Sequence, residues 1–231
     1  MKANLPEFRS LRLAVFDCDG TLVDSQNSIV AAMHAACDEH GFDKPRPDAI
    51  RRMVGLPLLE AFARLLPSTP PETLENLKQC YSSAFSAMRR RGELHEPLYP
   101  GVESGLSFFE RAGWLLGIAT GKSRRGLLAT LGGHGLLERF ITLQTADLAR
   151  GKPDPEMLHN AMAETGVGKG ETVMIGDTTY DMEMARNAGT YALGVSWGYH
   201  DSEELYEAGA HKVIDGFEEL PGAVLELMGS K

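Results

Sequence analysis

Four aspartates form two short pairs, and each pair follows a run of apolar residues. Asp17 and Asp19 are two positions apart, so their side chains share one side where a strand ends. Asp177 and Asp181 are four positions apart and share one face if a helix begins there. Two carboxylates about 4 Å apart repel by about 4 kcal/mol at an effective dielectric of about 20, so a group of them requires a compensating cation. Ligands that are all oxygen suit Mg²⁺, and we expect a magnesium site.

Further polar residues follow other predicted elements. Thr120 and Gly121 end a second apolar run, and Lys152 lies in Gly-Lys-Pro-Asp-Pro just before a predicted helix. Ligands of an open parallel sheet bind beyond the carboxyl ends of its strands, so these residues are expected beside the aspartates. Each residue alone has a structural explanation, such as a helix cap for Thr120 or helix-dipole compensation for Asp181. Their joint placement favours a single functional site.

Lys122 belongs to a segment that invites a nucleotide-binding interpretation. The run Gly-Ile-Ala-Thr-Gly-Lys-Ser has three residues between its first glycine and the Gly-Lys pair, whereas a P-loop has four. The P-loop interpretation is therefore rejected. Lys122 contacts substrate or lies in solvent, and solvent is at least as good an explanation.

For several other residues a structural explanation stands beside or in place of a functional one. Trp197, Tyr199 and His200 follow a predicted strand and either line a cleft or pack. The arginines of segment 51–55 either contact a ligand or are solvated. The arginines of segment 89–91 are typical of a helix end, where positive charge meets the negative end of the dipole.

Apolar runs and helical stretches alternate over the chain after residue 100. Repeated strand and helix units predict a parallel sheet covered by helices, and the apolar run 11–16 belongs with this sheet. We therefore predict an α/β fold with a Rossmann-like parallel core. The other predicted strands lie at 114–119, near Ile141, at 172–175, at 191–195 and near Val213.

Residues 24–96 differ from the rest of the chain because helix signals dominate and no clear strand pattern occurs. Leu77, Tyr81 and Phe85, for example, recur at helical spacing and predict an amphipathic helix. The segment is therefore predicted to be a helical insertion after the first strand. The predicted boundaries are 1–22 plus 98–231 for the α/β core and 23–97 for the insertion.

The composition excludes several classes of protein. The 231 residues carry a net charge of −9, which disfavours nucleic acid as a partner. Three cysteines without metal-ligand spacing disfavour a disulfide framework or a zinc site, and strand alternation turns Cys18 away from its aspartate neighbours. Residues 1–9 contain no signal-peptide pattern, and no apolar stretch is long enough to span a bilayer. We expect a cytoplasmic protein without a membrane partner.

Four short motifs resemble those of the haloacid dehalogenase superfamily. They are Asp17-Cys-Asp-Gly-Thr21, Thr120, Lys152 and Gly-Asp177-Thr-Thr-Tyr-Asp181, in this order over nearly the whole chain. All four in order, each at a predicted strand end or helix start, form a specific signal. The helical insertion resembles the cap domain of phosphoglycolate phosphatase-like members. The resemblance therefore implies that residues 23–97 cover the active edge of the core.

The resemblance also implies a role for each matched residue. Asp17 attacks phosphorus and forms a transient aspartyl-phosphate, while Asp19 acts first as general acid and then as general base. Thr120 and main-chain amides near Gly121 bind phosphate oxygens, and Lys152 offsets negative charge on Asp17 and on the phosphate. The implied Mg²⁺ ligands are Asp17, the main-chain carbonyl of Asp19 and Asp177, with Asp181 in support.

The implied reaction is hydrolysis of a small phosphorylated metabolite, because Asp19 can protonate a leaving oxygen that a dehalogenase does not need. Phosphoglycolate is the leading candidate substrate. Gly121 stands where phosphoglycolate phosphatases usually have asparagine, so sugar phosphates and nucleoside monophosphates stay open. A β-phosphoglucomutase-like isomerase is the rival enzyme, although such relatives tend to have Glu-Asp where this chain has Gly176-Asp177. A non-catalytic binding or regulatory protein on the same fold is the rival from another class. The sequence does not indicate an oligomeric state.

Overall fold

The computed structural model describes residues 11–229, so the expectation for residues 1–9 lies outside the described part. Its centre is a six-stranded parallel sheet in the order β3-β2-β1-β4-β5-β6. The predicted α/β fold with a Rossmann-like parallel core is confirmed, including the strands predicted near Ile141 and Val213. The strands are β1 Leu13–Phe16, β2 Leu115–Thr120, β3 Thr142–Thr145, β4 Thr172–Gly176, β5 Tyr191–Val195 and β6 Lys212–Ile214.

Helices cover both faces of this sheet and fill the insertion. The described residues contain ten α-helices and three short 3₁₀ turns, the latter at 137–139, 169–171 and 217–219. The helices are α1 Gln26–Glu39, α2 Pro47–Arg51, α3 Leu58–Leu65, α4 Pro71–Arg91, α5 Val102–Arg111, α6 Arg124–Gly133, α7 Glu156–Thr165, α8 Thr179–Ala188, α9 Ser202–Glu207 and α10 Leu220–Met228. None of the helices in this part of the chain is long and apolar enough to cross a membrane.

The first strand, β1, is apolar almost throughout because both of its faces are buried. Phe16 and Cys18 pack into one hydrophobic cluster, whereas Leu13 and Val15 pack into a second cluster. Successive side chains of a strand point to opposite faces, and both faces of a parallel sheet are covered by helices. Cys18 is therefore a buried core residue, as predicted, and Asp17 faces the other way.

Helices α1–α4 have a hydrophobic cluster of their own, which includes Ile29, Met33, Phe62 and Leu77. The amphipathic helix predicted from Leu77 is α4, which has a proline in its first turn and three arginines in its last turn. The arginines at 89–91 thus lie at a helix end, as predicted. A separate cluster supports our proposal that residues 23–97 form a cap domain, which is called the cap below.

The two chain segments that connect the cap to the core run side by side. The Asp24 amide donates to the Pro97 carbonyl at 2.8 Å, and the Tyr99 amide donates to the Leu22 carbonyl at 3.0 Å. Val23 and Leu98 form an antiparallel bridge between the same segments. The chain therefore leaves the core and returns to it at one place.

Candidate active site

The site lies at the carboxyl ends of three neighbouring strands, β2, β1 and β4. Thr120 ends β2, while Asp17 follows β1 and Asp177 follows β4. The Asp17 amide donates to the Ile175 carbonyl at 2.9 Å, which continues the pairing of β1 with β4 by one residue. Residues that are far apart in sequence therefore meet at one edge of the sheet, as predicted.

Three of the four predicted aspartates form a compact cluster. Asp17, Asp177 and Asp181 each offer a carboxylate oxygen, and these oxygens all lie within 4.8 Å of one another. All three side chains are buried. Such a cluster of like charges is costly without a cation, because water cannot reach it to screen the repulsion.

Lys152 is the only protein cation within ion-pair distance of this cluster among residues 11–229. Its Nζ lies 2.9 Å from Asp17 Oδ2 and 2.6 Å from Asp181 Oδ1, and its side chain is fully buried. None of these three atoms has an aligned hydrogen-bond partner in the described part of the chain. The lysine nitrogen therefore lies at ion-pair distance from both carboxylate oxygens. Lys152 Nζ stays available to a phosphate oxygen, and the two carboxylate oxygens stay available to a metal ion.

The protonation behaviour of this group follows from its burial. Burial raises the pKa of the Asp17 carboxyl from 3.8 to about 7, although the charge of Lys152 opposes the change. Burial and then the charge of Asp17 raise the pKa of Asp177 well above its ordinary value. Burial lowers the pKa of Lys152, but the charges of Asp17 and Asp181 outweigh this effect and raise it. Lys152 is therefore charged, and Asp17 and Asp177 require further positive charge to ionise fully.

Asp177 is held by contacts from two separate segments. The Thr21 hydroxyl donates to its Oδ1 at 2.7 Å, and the Tyr199 amide donates to its Oδ2 at 2.9 Å. Glycines surround this carboxylate: a Cβ added at Gly20 or at Gly198 would lie 2.2 Å from an Asp177 atom. Gly20 also has a φ of +85°, which side chains rarely adopt. The two glycines leave room for the Asp177 carboxylate.

Asp181 belongs both to the start of a helix and to the acidic cluster, and its metal-supporting role stays a prediction. It is the third residue of α8 and forms a capping box with Thr178. Its Oδ2 accepts from the Thr178 hydroxyl at 2.7 Å, whereas its Oδ1 faces Lys152 at 2.6 Å. One oxygen therefore fixes the start of the helix, and the other belongs to the acidic cluster.

The carboxylate of Asp19 lies outside that cluster. Its Oδ1 contacts Lys122 Nζ at 2.5 Å and accepts a short hydrogen bond from the Ser25 hydroxyl. The metal role predicted for Asp19 concerned its main-chain carbonyl and stays a prediction. The two aspartates of the first motif thus have different partners, which fits different roles.

Lys122 is not solvated, so the solvent explanation is wrong. Its side chain is only 10% exposed, and its Nζ also lies 3.4 Å from Glu96 Oε1. The ammonium lies 5.4 Å from the ring centroid of Phe85 on the cap. Burial lowers the pKa of Lys122, but nearby negative charge, foremost that of Asp19, raises it. Neither Ser25 nor Glu96 was recognised in the sequence, because both belong to segments without a motif.

Thr120 and Gly121 occupy the position predicted for phosphate binding. Thr120 is buried, and its hydroxyl accepts from the Lys122 amide at 3.3 Å. The alternative that Thr120 caps the next helix is wrong, because Ser123 is the N-cap and accepts from the Gly126 amide. A Cβ on Gly121 would lie 2.8 Å from the Gly55 carbonyl oxygen, so the cap approaches the core closely here. Binding of phosphate by Thr120 and Gly121 stays a prediction.

The aromatic residues after β5 stabilise the motifs instead of lining the main cavity. Trp197 Nε1 donates to the Thr21 carbonyl at 3.1 Å, and the Tyr199 hydroxyl lies 3.4 Å from the Ser25 hydroxyl. His200 Nε2 lies 3.2 Å from the Arg52 carbonyl of the cap. Arg52 itself pairs with Glu204 of the core, so this arginine links cap and core. The packing explanation is therefore the one that the structure favours.

A cavity of about 730 Å³ lies between the sheet edge and the cap. Asp17, Asp19, Thr120, Gly121 and Lys122 line it on the core side. Helices α1, α3 and α4 contribute most of the opposite wall. The volume is that of a pocket for a ligand of drug size, and Asp17 is part of its wall.

The acidic cluster fits a divalent metal ion. Three carboxylates and one lysine leave two negative charges in a buried place, which one divalent cation neutralises. The donors are all oxygen, which is the preference of Mg²⁺. Asp17 Oδ2 and Asp181 Oδ1 contact Lys152 without an aligned hydrogen bond, so both can accept a further contact.

Fold and site together define an α/β enzyme with an acidic, cap-covered centre, and comparison with known proteins agrees. Residues 14–195 match the family model described as "Haloacid dehalogenase-like hydrolase". The chain is 36% identical over 219 residues to "Probable phosphatase IndB" of Dickeya dadantii, covering 94% of both chains. It is 28% identical to "Phosphoglycolate phosphatase" of Vibrio cholerae, covering 95% of this chain and 98% of the other. A crystal structure of "a predicted phosphatase" from Clostridium acetobutylicum superposes with a TM-score of 0.84 at 25% identity, covering 94% of this chain and 100% of that chain.

The chain belongs to the haloacid dehalogenase-like hydrolase family, and the resemblance seen in its sequence is confirmed. Its class is that of the phosphoric monoester hydrolases, because the relatives that it matches along their length are phosphatases.

Proposed function

We propose that the protein is a Mg²⁺-dependent phosphatase that hydrolyses a small phosphate monoester through an aspartyl-phosphate on Asp17. The observation that carries this proposal is the buried group of Asp17, Lys152, Asp177 and Asp181 beside a cap-covered cavity. The organic part of the substrate is a small metabolite; nucleic acid and membrane are not partners. A cytoplasmic location stays a prediction.

Asp17 is the proposed nucleophile. Its Oδ1 accepts from the Cys18 amide at 2.6 Å, which fixes the carboxylate, while its Oδ2 has only the Lys152 contact. A carboxylate oxygen forms a bond to phosphorus as the bond from phosphorus to the leaving oxygen breaks. Splitting hydrolysis into two displacements replaces one difficult step by two easier ones.

Asp19 is the proposed general acid and base. In the first displacement it delivers a proton to the leaving oxygen; in the second it takes a proton from the water that attacks phosphorus. The contacts of its Oδ1 with Lys122 and Ser25 suit a charged carboxylate, which is the form that the second displacement requires.

Positive charge for the transferred phosphoryl group has two proposed sources. Lys152 is charged and buried, so its effect is not screened by water. The Thr120 hydroxyl and the amides near Gly121 donate hydrogen bonds to phosphate oxygens. Asp17, Asp177 and the Asp19 main-chain carbonyl, with Asp181 in support, would hold Mg²⁺, which would supply positive charge to offset that of the phosphoryl group and of the aspartates.

The proposed boundaries of the cap place its hinge at the two adjacent connecting segments. Opening at residues 21–24 and 96–101 admits substrate, and closure excludes water during the displacements. The hydrogen bonds that the Asp24 and Tyr99 amides donate support this location, because they hold both connecting segments side by side.

The test is phosphate release from a panel of small phosphomonoesters with Mg²⁺, with Asp17→Asn and EDTA as controls. Asp17→Asn keeps the size of the side chain and removes its negative charge, so release is expected to fall by about 10³-fold or more. Circular dichroism verifies that the variant is folded. Conversion of a hexose 1-phosphate to its 6-phosphate without net release would favour the mutase. No reaction of any ester by a folded protein would favour the binding protein.

A further inference from the structure

The cap side of the cavity is apolar, which is unexpected for a site that accepts only a very small, polar phosphate ester. Six of the residues that form this wall are Ile29, Met33, Ile50, Val54, Tyr81 and Phe85. Burying a hydroxyl or carboxylate against such a wall without a partner costs free energy, whereas an apolar group gains it. The cavity of about 730 Å³ also far exceeds what a phosphate with a two-carbon body fills.

Two arginines lie on opposite sides of the same cavity. Arg90 is in the last turn of α4 on the cap, and Arg125 is in the first turn of α6 on the core. Both also line a smaller polar recess of about 160 Å³, whose other lining residues are Ser82, Ser83 and Ser86. Arg125 Nη2 donates to the Ser86 hydroxyl at 2.9 Å, so the recess spans core and cap.

Neither arginine forms an ion pair within residues 11–229, although their neighbours do. Arg89 pairs with Glu96, and Arg91 pairs with Glu93. Asp147, an acidic residue of the main cavity wall, accepts from the amide of Arg124 and from the Thr145 hydroxyl. In a chain with a net charge of −9, two arginines that share a recess without a carboxylate form a local anion-attracting site.

The recess is separate from the place of the phosphate. Asp17, Lys152 and Asp177 do not line it, and Thr120 belongs to the main cavity alone. Ser82, Ser86 and Arg90 are four residues apart along α4, so they share one face beside the apolar row of Tyr81 and Phe85. A ligand whose phosphate lies at Asp17 therefore contacts the apolar wall with its body. The end of the ligand away from the phosphate contacts the arginines.

We propose that the substrate is a phosphate monoester with an apolar body of about one ring and a second acidic group, which Arg90 and Arg125 bind. This inference rests on the proposed function, because it assigns the substrate of the same site. A guanidinium matches a carboxylate or a second phosphate in shape and charge. Because one arginine belongs to the cap and the other to the core, the second acidic group also favours the closed cap.

The test compares three substrates that differ in one property at a time, with Mg²⁺ present. The first is the phosphate ester of 3-(4-hydroxyphenyl)propanoic acid; the second is its methyl ester, which keeps the ring and removes the charge. The third is phosphoglycolate, which keeps a carboxylate and removes the ring. We expect kcat/KM to be about tenfold higher for the acid than for its methyl ester, which corresponds to one charge-assisted contact. Phosphoglycolate is expected to be poorer than both.

Single substitutions of arginines test which residues cause the preference for the acid over its methyl ester. Arg90→Gln and Arg125→Gln are each expected to lower kcat/KM for the acid by about tenfold and to leave the methyl ester unchanged. Arg91→Gln and Arg124→Gln are the controls, because these neighbours do not line either cavity, and they are expected to change neither substrate. Equal rates for acid and methyl ester, an equal loss for both in the variants, or phosphoglycolate as the best substrate would each overturn the proposal.

Binding distinguishes failure of this inference from failure of the proposed function. Titration calorimetry of the acid and of its methyl ester is done with native protein and with Arg125→Gln. If no ester is hydrolysed but the acid still binds about tenfold more tightly through Arg125, the phosphatase proposal fails and the ligand class stands. If both esters are hydrolysed and bound equally well, the phosphatase proposal stands and the ligand class is wrong.

Discussion

Two buried lysines of this protein each lie between two acidic residues, yet their surroundings differ. Lys152 contacts Asp17 and Asp181, and all three belong to the core. Lys122 contacts Asp19 of the core and Glu96 of the segment that returns from the cap, and it lies over the Phe85 ring of the cap itself. The first lysine therefore contacts the core alone, whereas the second contacts both the core and the proposed cap. The comparison indicates that the proposed nucleophile, Asp17, has its ion-pair contacts within the core alone, whereas the proposed acid–base residue, Asp19, shares its lysine with the segment that returns from the cap.

The largest effect is expected from removing the lysine of the core. Lys152→Met should lower kcat by about 10³-fold, because it removes a buried positive charge from the place where negative charge develops. The measurement is steady-state phosphate release with Mg²⁺. Arg150→Met is a suitable control, since that neighbouring side chain is 72% exposed and should have little effect. A loss of less than tenfold for Lys152→Met would contradict a catalytic role for this lysine.

A smaller and more selective effect is expected from removing the lysine that joins core and cap. Lys122→Met should lower kcat by about tenfold, since the Ser25 hydroxyl still holds Asp19. Because Lys122 acts through the acid–base residue, esters of alkyl alcohols should lose more than 4-nitrophenyl phosphate, whose leaving group needs little protonation. Kinetics with both kinds of ester measure this difference. An equal loss for both would mean that Lys122 only stabilises the fold.

The surroundings of Lys152 and of Lys122 should also differ in their response to pH and Mg²⁺. The raised pKa of Asp17, about 7, means that the folded metal-free protein holds a proton there more tightly than the unfolded chain does. This contribution to stability is complete below the unfolded pKa of 3.8 and is lost as the pH rises through about 7. Mg²⁺ competes with the same proton, so its apparent affinity should rise by up to about tenfold per pH unit below pH 7.

Thermal unfolding with and without Mg²⁺, measured at several pH values on both sides of neutrality, checks this dependence. The shift in melting temperature that Mg²⁺ causes should grow as the pH rises. In Asp17→Asn it should vary less, while Lys122→Met should behave as the native protein does. A shift that is independent of pH would show that Asp17 does not exchange its proton for the metal.

The difference between the two lysines also shows which parts of the molecule the sequence could predict. Asp17 and Asp177 were predictable because each follows a buried strand directly, and the order of parallel strands brings such ends together. Lys152 was predictable from its place in a specific motif. These residues depend mainly on local patterns that a single sequence displays.

The environment of Lys122 could not be predicted because it depends on tertiary packing. Glu96 lies 26 positions away in a segment without a motif, and Phe85 has the spacing of any core residue of a helix. The pairing of Arg125 with Ser86 depends likewise on how the cap docks on the core. The general order of elements was therefore clear from the sequence, and the contacts between the two parts were not.

The adjacent connecting segments make the cap a side branch of the chain. Because Asp24 pairs with Pro97 and Tyr99 with Leu22, the chain enters and leaves this branch at two neighbouring positions, whatever lies between them. Replacing or lengthening that branch changes neither the strand order nor the position of Asp17, and loop-closure entropy grows only slowly with length. Evolution can therefore exchange the substrate-selecting wall as a unit while the reacting groups are retained.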